Sequence, residues 1–98
     1  MYEIIWSEDA KFTYREIQKF VLQRWSIDII IRLDNQVEDL LERLRVHHRI
    51  CPLLDGYPGL RKCVINKQNS LIYRIDTSEN TIHLVTFIDN RMNHPFFN

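Results

Sequence analysis

Apolar residues recur along this chain at two different spacings, and the change of spacing divides it in half. Tyr2 to Trp6 (YEIIW) is short, β-branched and aromatic, and reads as a strand. Ser7 follows as a helix N-cap, with Glu8 and Asp9 in the first turn where the helix dipole favours anions. Ala10, Tyr14, Ile17, Val21 and Trp25 then fall at helical spacing, and Thr13 and Phe20 widen the stripe. This helix is expected to end near Arg24–Trp25, and Ser26 to cap a second. The second carries Ile30, Leu33, Val37, Leu40, Leu41 and Leu44 on one face, with Arg32, Asp34, Glu38, Glu42, Arg43 and Arg45 opposite.

The stretch His47 to Gly59 (HHRICPLLDGYPG) holds both glycines and two of the three prolines, and reads as irregular. Three β segments follow. Leu60–Lys67 leads into a polar turn. Leu71–Asp76 alternates, with Leu71, Tyr73 and Ile75 on one face. Thr81–Ile88 is apolar on both faces, Ile82, Leu84 and Ile88 opposite His83, Val85 and Phe87, as in a covered central strand. The order is β-α-α-β-β-β. The fold class it predicts is α+β: a helical hairpin packed on one face of a mainly antiparallel four-stranded sheet, in one domain spanning residues 1–98.

Charge narrows the function classes. Thirteen basic and thirteen acidic side chains cancel, and residues 1–49 hold eight basic against nine acidic. A protein that lives on nucleic acid ordinarily shows a basic surplus, because neutralised phosphates supply much of its affinity. Sequence-specific DNA binding is therefore not expected. Ile29-Ile30-Ile31 is the longest apolar run and no secretory leader pattern opens the chain, so the expectation is a cytoplasmic protein with no membrane partner. In that compartment Cys51 and Cys63 are expected to stay reduced.

Candidate chemistry is sparse. His47, His48 and Cys51 form one close group, with Cys63 and His83 elsewhere, whereas a structural zinc site wants paired close spacings; no metal is expected. Two glycines cannot supply a phosphate-cradling loop, and no cofactor is expected. The serines fall at caps and turns. Arg91 could grip a phosphate bidentately and His94 could serve as general acid or base, which makes them, with Arg61, weak catalytic candidates.

Pro58-Gly59-Leu60-Arg61, the strand Leu71-Ile72-Tyr73-Arg74-Ile75 and the ending Val85-Thr86-Phe87-Ile88-Asp89-Asn90-Arg91 together resemble the RelE/ParE superfamily of bacterial type II toxins. The resemblance covers nearly the whole chain and is firmest over residues 59–91. It implies a growth inhibitor neutralised by a cognate antitoxin. Its RelE-like branch cleaves messenger RNA on the ribosome with lysines on the second strand, an arginine opening the third, an arginine after the last and a tyrosine near the C-terminus. Arg61 and Arg91 match two of those positions. Cys63 and Ser70 stand at two others, and no tyrosine follows Arg91. The depleted set places the chain nearer the ParE-like branch, which poisons DNA gyrase without cleaving RNA. A degenerate, non-toxic antitoxin binder is a further alternative. The antitoxin is expected to cover an exposed apolar face around Cys63, Ile72, Val85 and Phe87, and to find an open strand edge.

Overall fold

The computed structural model describes residues 1–92. Its elements are β1 (Glu3–Trp6), α1 (Glu8–Arg24), α2 (Ile27–Val46), β2 (Leu60–Val64), β3 (Asn69–Asp76) and β4 (Thr81–Asp89). The predicted order and fold class hold. The sheet runs β1-β4-β3-β2, with β1 parallel to β4 and the other two pairings antiparallel.

Helix α1 starts where Ser7 predicts it. The Ser7 Oγ accepts from the Ala10 N–H at 2.9 Å and donates to the Val85 carbonyl at 2.9 Å, so one hydroxyl caps the helix and ties it to β4. Ser26 occupies the N-cap of α2, but its side chain makes no capping hydrogen bond. The apolar stripes of both helices bury Ala10, Ile17, Val21, Leu33, Val37, Leu40, Leu41 and Leu44 against Leu71, Tyr73, Ile82, Leu84 and Phe87. Tyr14 and Gln18 of α1 donate to the same Oδ1 of Asp34, fixing the register of the hairpin through a polar contact. Burial, and then the Asp34 carboxylate, drive the Tyr14 hydroxyl pKa far upward, so this phenol is a donor throughout the physiological range.

Two strand boundaries differ from expectation. β2 stops at Val64 and β3 starts at Asn69, because Asn66 Oδ1 accepts from the backbone of Gln68 and Asn69, both at 2.9 Å, and closes the turn early. More consequential is a β-bulge. Ile72 pairs with Thr86 but Tyr73 pairs with Leu84, so Val85 is an extra residue on β4. The bulge inverts the alternation past it, and Phe87 joins Ile82 and Leu84 on the helix side instead of lying opposite them.

β1 is only four residues long and covers β4 as far as Leu84. Beyond that point α1 takes over the same edge. Ser7 N donates to the Leu84 carbonyl at 3.1 Å. The Ser7 hydroxyl then serves Val85, and Thr13 Oγ1 accepts from the Phe87 N–H at 3.0 Å. Polar side chains of the helix thus complete the ladder where the strand runs out.

The expectation of reduced cysteines is overturned: Cys51 and Cys63 form a disulfide, with Cα atoms 5.2 Å apart. The cause lies in residues 50–54, which read as loop but pair with β2. Leu53 bridges Arg61, Lys62 N donates to the Pro52 carbonyl at 3.0 Å and Leu54 N to that of Leu60 at 2.8 Å. Continuing that antiparallel register by two residues brings Cys51 opposite Cys63.

Candidate functional site

Arg91 lies just beyond β4, and its side chain is committed to Asp89. Its Nε donates to Asp89 Oδ1 at 2.9 Å and its Nη2 to Oδ2 at 2.6 Å, while its backbone N–H reaches Oδ1 at 2.8 Å. Asn69 Nδ2 adds a fourth donor to Asp89 at 2.9 Å. The carboxylate is wholly buried and the guanidinium 29 % exposed. Burial pushes the Asp89 carboxyl up, but the Arg91 and Asn69 donors outweigh it and hold it below the usual carboxylate range. The same pairing raises the Arg91 pKa. The guanidinium also stands 4.8 Å from the Trp25 ring centroid and 5.5 Å from that of Phe20. A cleft of about 340 Å³ opens beside it, walled by Trp25, Arg32, Gln36, Asn66 and Asn69.

Arg61 is held by backbone carbonyls rather than by a counter-charge. Its Nη1 donates to the Cys51 carbonyl at 2.7 Å and to that of Arg49 at 3.5 Å, clamping the chain that leaves α2. Arg61 lies opposite Tyr73 on β3, whereas Asp89, two residues before Arg91, lies opposite Asn69. Four residues of β3 therefore separate the two levels, about 13 Å at the usual strand rise. The structure does not bring the two arginines together. His94 lies outside the described residues.

The expected antitoxin-binding face is not exposed as drawn. Cys63, Ile72 and Phe87 are buried, at 1 %, 0 % and 2 % exposure, and only Val85 retains partial access. Cys63 is drawn inward by its disulfide and by its register opposite Leu71. Phe87 is turned inward by the bulge, and packs on Trp6 at 5.2 Å and Tyr14 at 4.8 Å between ring centroids. The outer edge of β2 is also taken, by residues 52–54. β1 forms the other margin of the sheet, where Tyr2 N donates to the Arg45 carbonyl at 3.0 Å.

Sequence reasoning missed several residues with definite roles. Tyr73 is buried and sends its hydroxyl to the His48 carbonyl at 2.7 Å. His48 stacks on Tyr2 with ring centroids 4.0 Å apart, and its pKa is lowered by desolvation, then by the charges of Arg49 and Arg61. On the sheet face opposite the helices, Arg74 sits between Leu60 and His83 in register, and His83 Nε2 lies 3.1 Å from Thr81 Oγ1. Only the alternation of β3, correctly read, pointed to Arg74. Among the described residues no group of three His, Cys, Asp or Glu side chains gathers around a common point, and no helix is long and apolar enough to cross a membrane.

A β-strand, a helical hairpin and three further strands in one sheet is the RelE/ParE-like fold, and solved structures share it at low identity. The chromosomal ParDE toxin–antitoxin system of P. aeruginosa aligns with a TM-score of 0.74 and 13 % identity, over 91 % of this chain and 96 % of that one. The isolated E. coli RelE toxin aligns at 0.66 and 14 %, over 96 % and 89 %, and the Staphylococcus aureus YoeB dimer at 0.63 and 17 %, over 95 % and 98 %. No curated protein sequence matches significantly. The sequence itself matches, over residues 4–94, the family described as ParE toxin of type II toxin–antitoxin system, parDE; the chain belongs to that family.

Proposed function

We propose that this ParE-family toxin inhibits growth by binding a protein target, DNA gyrase, without cleaving RNA, and that a cognate antitoxin neutralises it in the cytoplasm. The observation that carries the reading is the pairing of Arg91, the nuclease-matching arginine after the last described strand, with a buried carboxylate. Cleavage of RNA in the manner of the RelE-like branch depends on unpaired positive charge aimed at a phosphate. Here Arg91 is held by the buried Asp89 and Arg61 by backbone carbonyls. Net charge of zero points the same way, since a ribosomal RNA site rewards a basic surplus.

The apolar surface favours a protein partner. Phe12, Leu22, Trp25, Ile27 and Ile31 on the helical hairpin are between 46 % and 60 % exposed. Several structural neighbours are themselves toxin–antitoxin complexes, such as the E. coli DinJ–YafQ complex, which supports an antitoxin for this chain. Such a partner finds apolar purchase on the hairpin rather than at Cys63, Ile72 or Phe87.

Inducible expression in a bacterium tests the mechanism. The expected result is growth arrest with lost supercoiling, DNA breaks and intact transcripts. Rapid transcript cleavage under the same induction refutes the non-nucleolytic reading. Normal growth with soluble toxin accumulating refutes toxicity altogether.

A further inference from the structure

We propose that the Cys51–Cys63 bond is a redox latch: it fastens residues 50–59 along the outer edge of β2, and its reduction by a dithiol opens that edge. Much of the latched segment is exposed to solvent. Ile50 is 48 % exposed, Leu53 63 % and Tyr57 41 %, and Cys51 is the segment's one apolar residue packed on the hydrophobic core cluster. Four hydrogen bonds join it to β2: Lys62 N to the Pro52 carbonyl, Leu54 N to the Leu60 carbonyl, Leu60 N to the Tyr57 carbonyl and Arg61 Nη1 to the Cys51 carbonyl. Behind it the chain is anchored independently, by Tyr73 on the His48 carbonyl and Tyr2 on the His48 ring. At its far end, Gly56 and Gly59 at φ +81° and +78° supply turns that only glycine adopts freely. The segment is therefore a strap with a firm root, a flexible turn and one covalent fastening.

The chemistry has a defined direction. Cys51 is partly exposed and Cys63 is buried, so the thiolate of a dithiol attacks the Cys51 sulfur. A mixed disulfide forms there, and Cys63 leaves as a thiolate that takes a proton. The second thiol of the reductant, deprotonated, closes onto its partner sulfur, which expels the Cys51 thiolate to be protonated in turn. Two electrons pass to the protein, and the dithiol becomes a cyclic disulfide. With Cys51 released, the Lys62 N–H and the Leu60 carbonyl lose their neighbours as the strap peels back. A stretch of β2 is then left with its backbone groups unpaired.

Hydrogen exchange by mass spectrometry on the full chain tests the latch, comparing air-oxidised protein with protein reduced by dithiothreitol under argon. The expected result is exchange at Leu54 and Lys62 about tenfold faster or more after reduction, unchanged protection in β3 and β4, and reversal on reoxidation. The Cys51→Ser variant should exchange fast at both positions without reductant. Unchanged protection at Leu54 and Lys62 overturns the proposal. So does loss of protection throughout β3 and β4, which makes the bond a support of the whole fold rather than a local fastening. Two free thiols in air-equilibrated protein overturn it as well. The wild-type comparison decides the matter even if Cys51→Ser fails to fold.

Discussion

Replacing Arg91 with alanine strands a carboxylate that has no access to water. Asp89 is wholly buried, and the substitution removes both side-chain donors of Arg91 while leaving the backbone N–H of residue 91 and Asn69 Nδ2 in place. Breaking a buried ion pair by deleting one partner costs about 3–5 kcal/mol, and the two surviving donors put this case near about 3 kcal/mol at neutral pH. Asp89→Asn is milder. It leaves a guanidinium already 29 % exposed, free to turn to solvent, at a cost of about 1–2 kcal/mol. The double variant should be more stable than Arg91→Ala alone, since no buried charge remains. The pH dependence has a definite sign. In the native protein the Asp89 pKa is depressed, so its contribution is present above the ordinary value of 3.8 and is lost as pH falls through the lowered one. In Arg91→Ala burial dominates and the folded pKa rises above 3.8; the penalty is full near neutrality and shrinks as pH falls through that raised value. Urea unfolding followed by tryptophan fluorescence, repeated between pH 7 and pH 4, measures all three variants. An Arg91→Ala loss no greater than that of Asp89→Asn at pH 7, or one that grows on acidification, refutes the reasoning. The result also bears on function, because an Arg91→Ala toxin that fails to arrest growth has not thereby lost a catalytic group.

Two further substitutions test contacts that hold the ends of the fold. Ser7→Ala removes the cap of α1 and the donor to Val85 together, and should cost about 1–2 kcal/mol in urea unfolding; a change below about 0.5 kcal/mol rejects the dual role. Tyr73→Phe leaves the His48 carbonyl without its buried donor and should cost about 1–2 kcal/mol, with faster amide exchange across residues 47–50; unaltered exchange there rejects the anchoring role.

The helices were legible because their apolar stripes are continuous at helical spacing. Ala10, Ile17 and Val21, then Leu33, Val37, Leu40, Leu41 and Leu44, are all buried as the spacing requires. The order of the strands along the chain was legible from turn chemistry and alternation, and the covered place of β4 from its apolar faces. What escaped was set by register, which a single sequence does not display. The bulge at Val85 depends on how β3 and β4 slide past one another, and it alone turns Phe87 inward. The pairing of Leu53 with Arg61 made the disulfide, yet residues 50–54 carry two leucines, a proline and a cysteine with no alternating pattern to mark a strand. Arg91 was singled out for its charge, and the acid two residues before it was in plain view. Its burial was not, and that burial turned a phosphate candidate into a structural pair.

The position of β4 in the sheet decides which incomplete chains can resemble the finished one. It is the last of the described strands but sits between β1 and β3, so it is the only described strand touching both the first and the second half. A chain stopped before Thr81 keeps the β2–β3 hairpin and the helices, yet β1 has no partner and the helical stripes face a sheet without its middle. Such a fragment exposes the apolar faces of Leu71 and Tyr73 and leaves both margins of the gap unpaired. The middle of the sheet is therefore made after every other described strand. Premature termination before Thr81 should yield aggregating or degraded protein, not a weakened toxin.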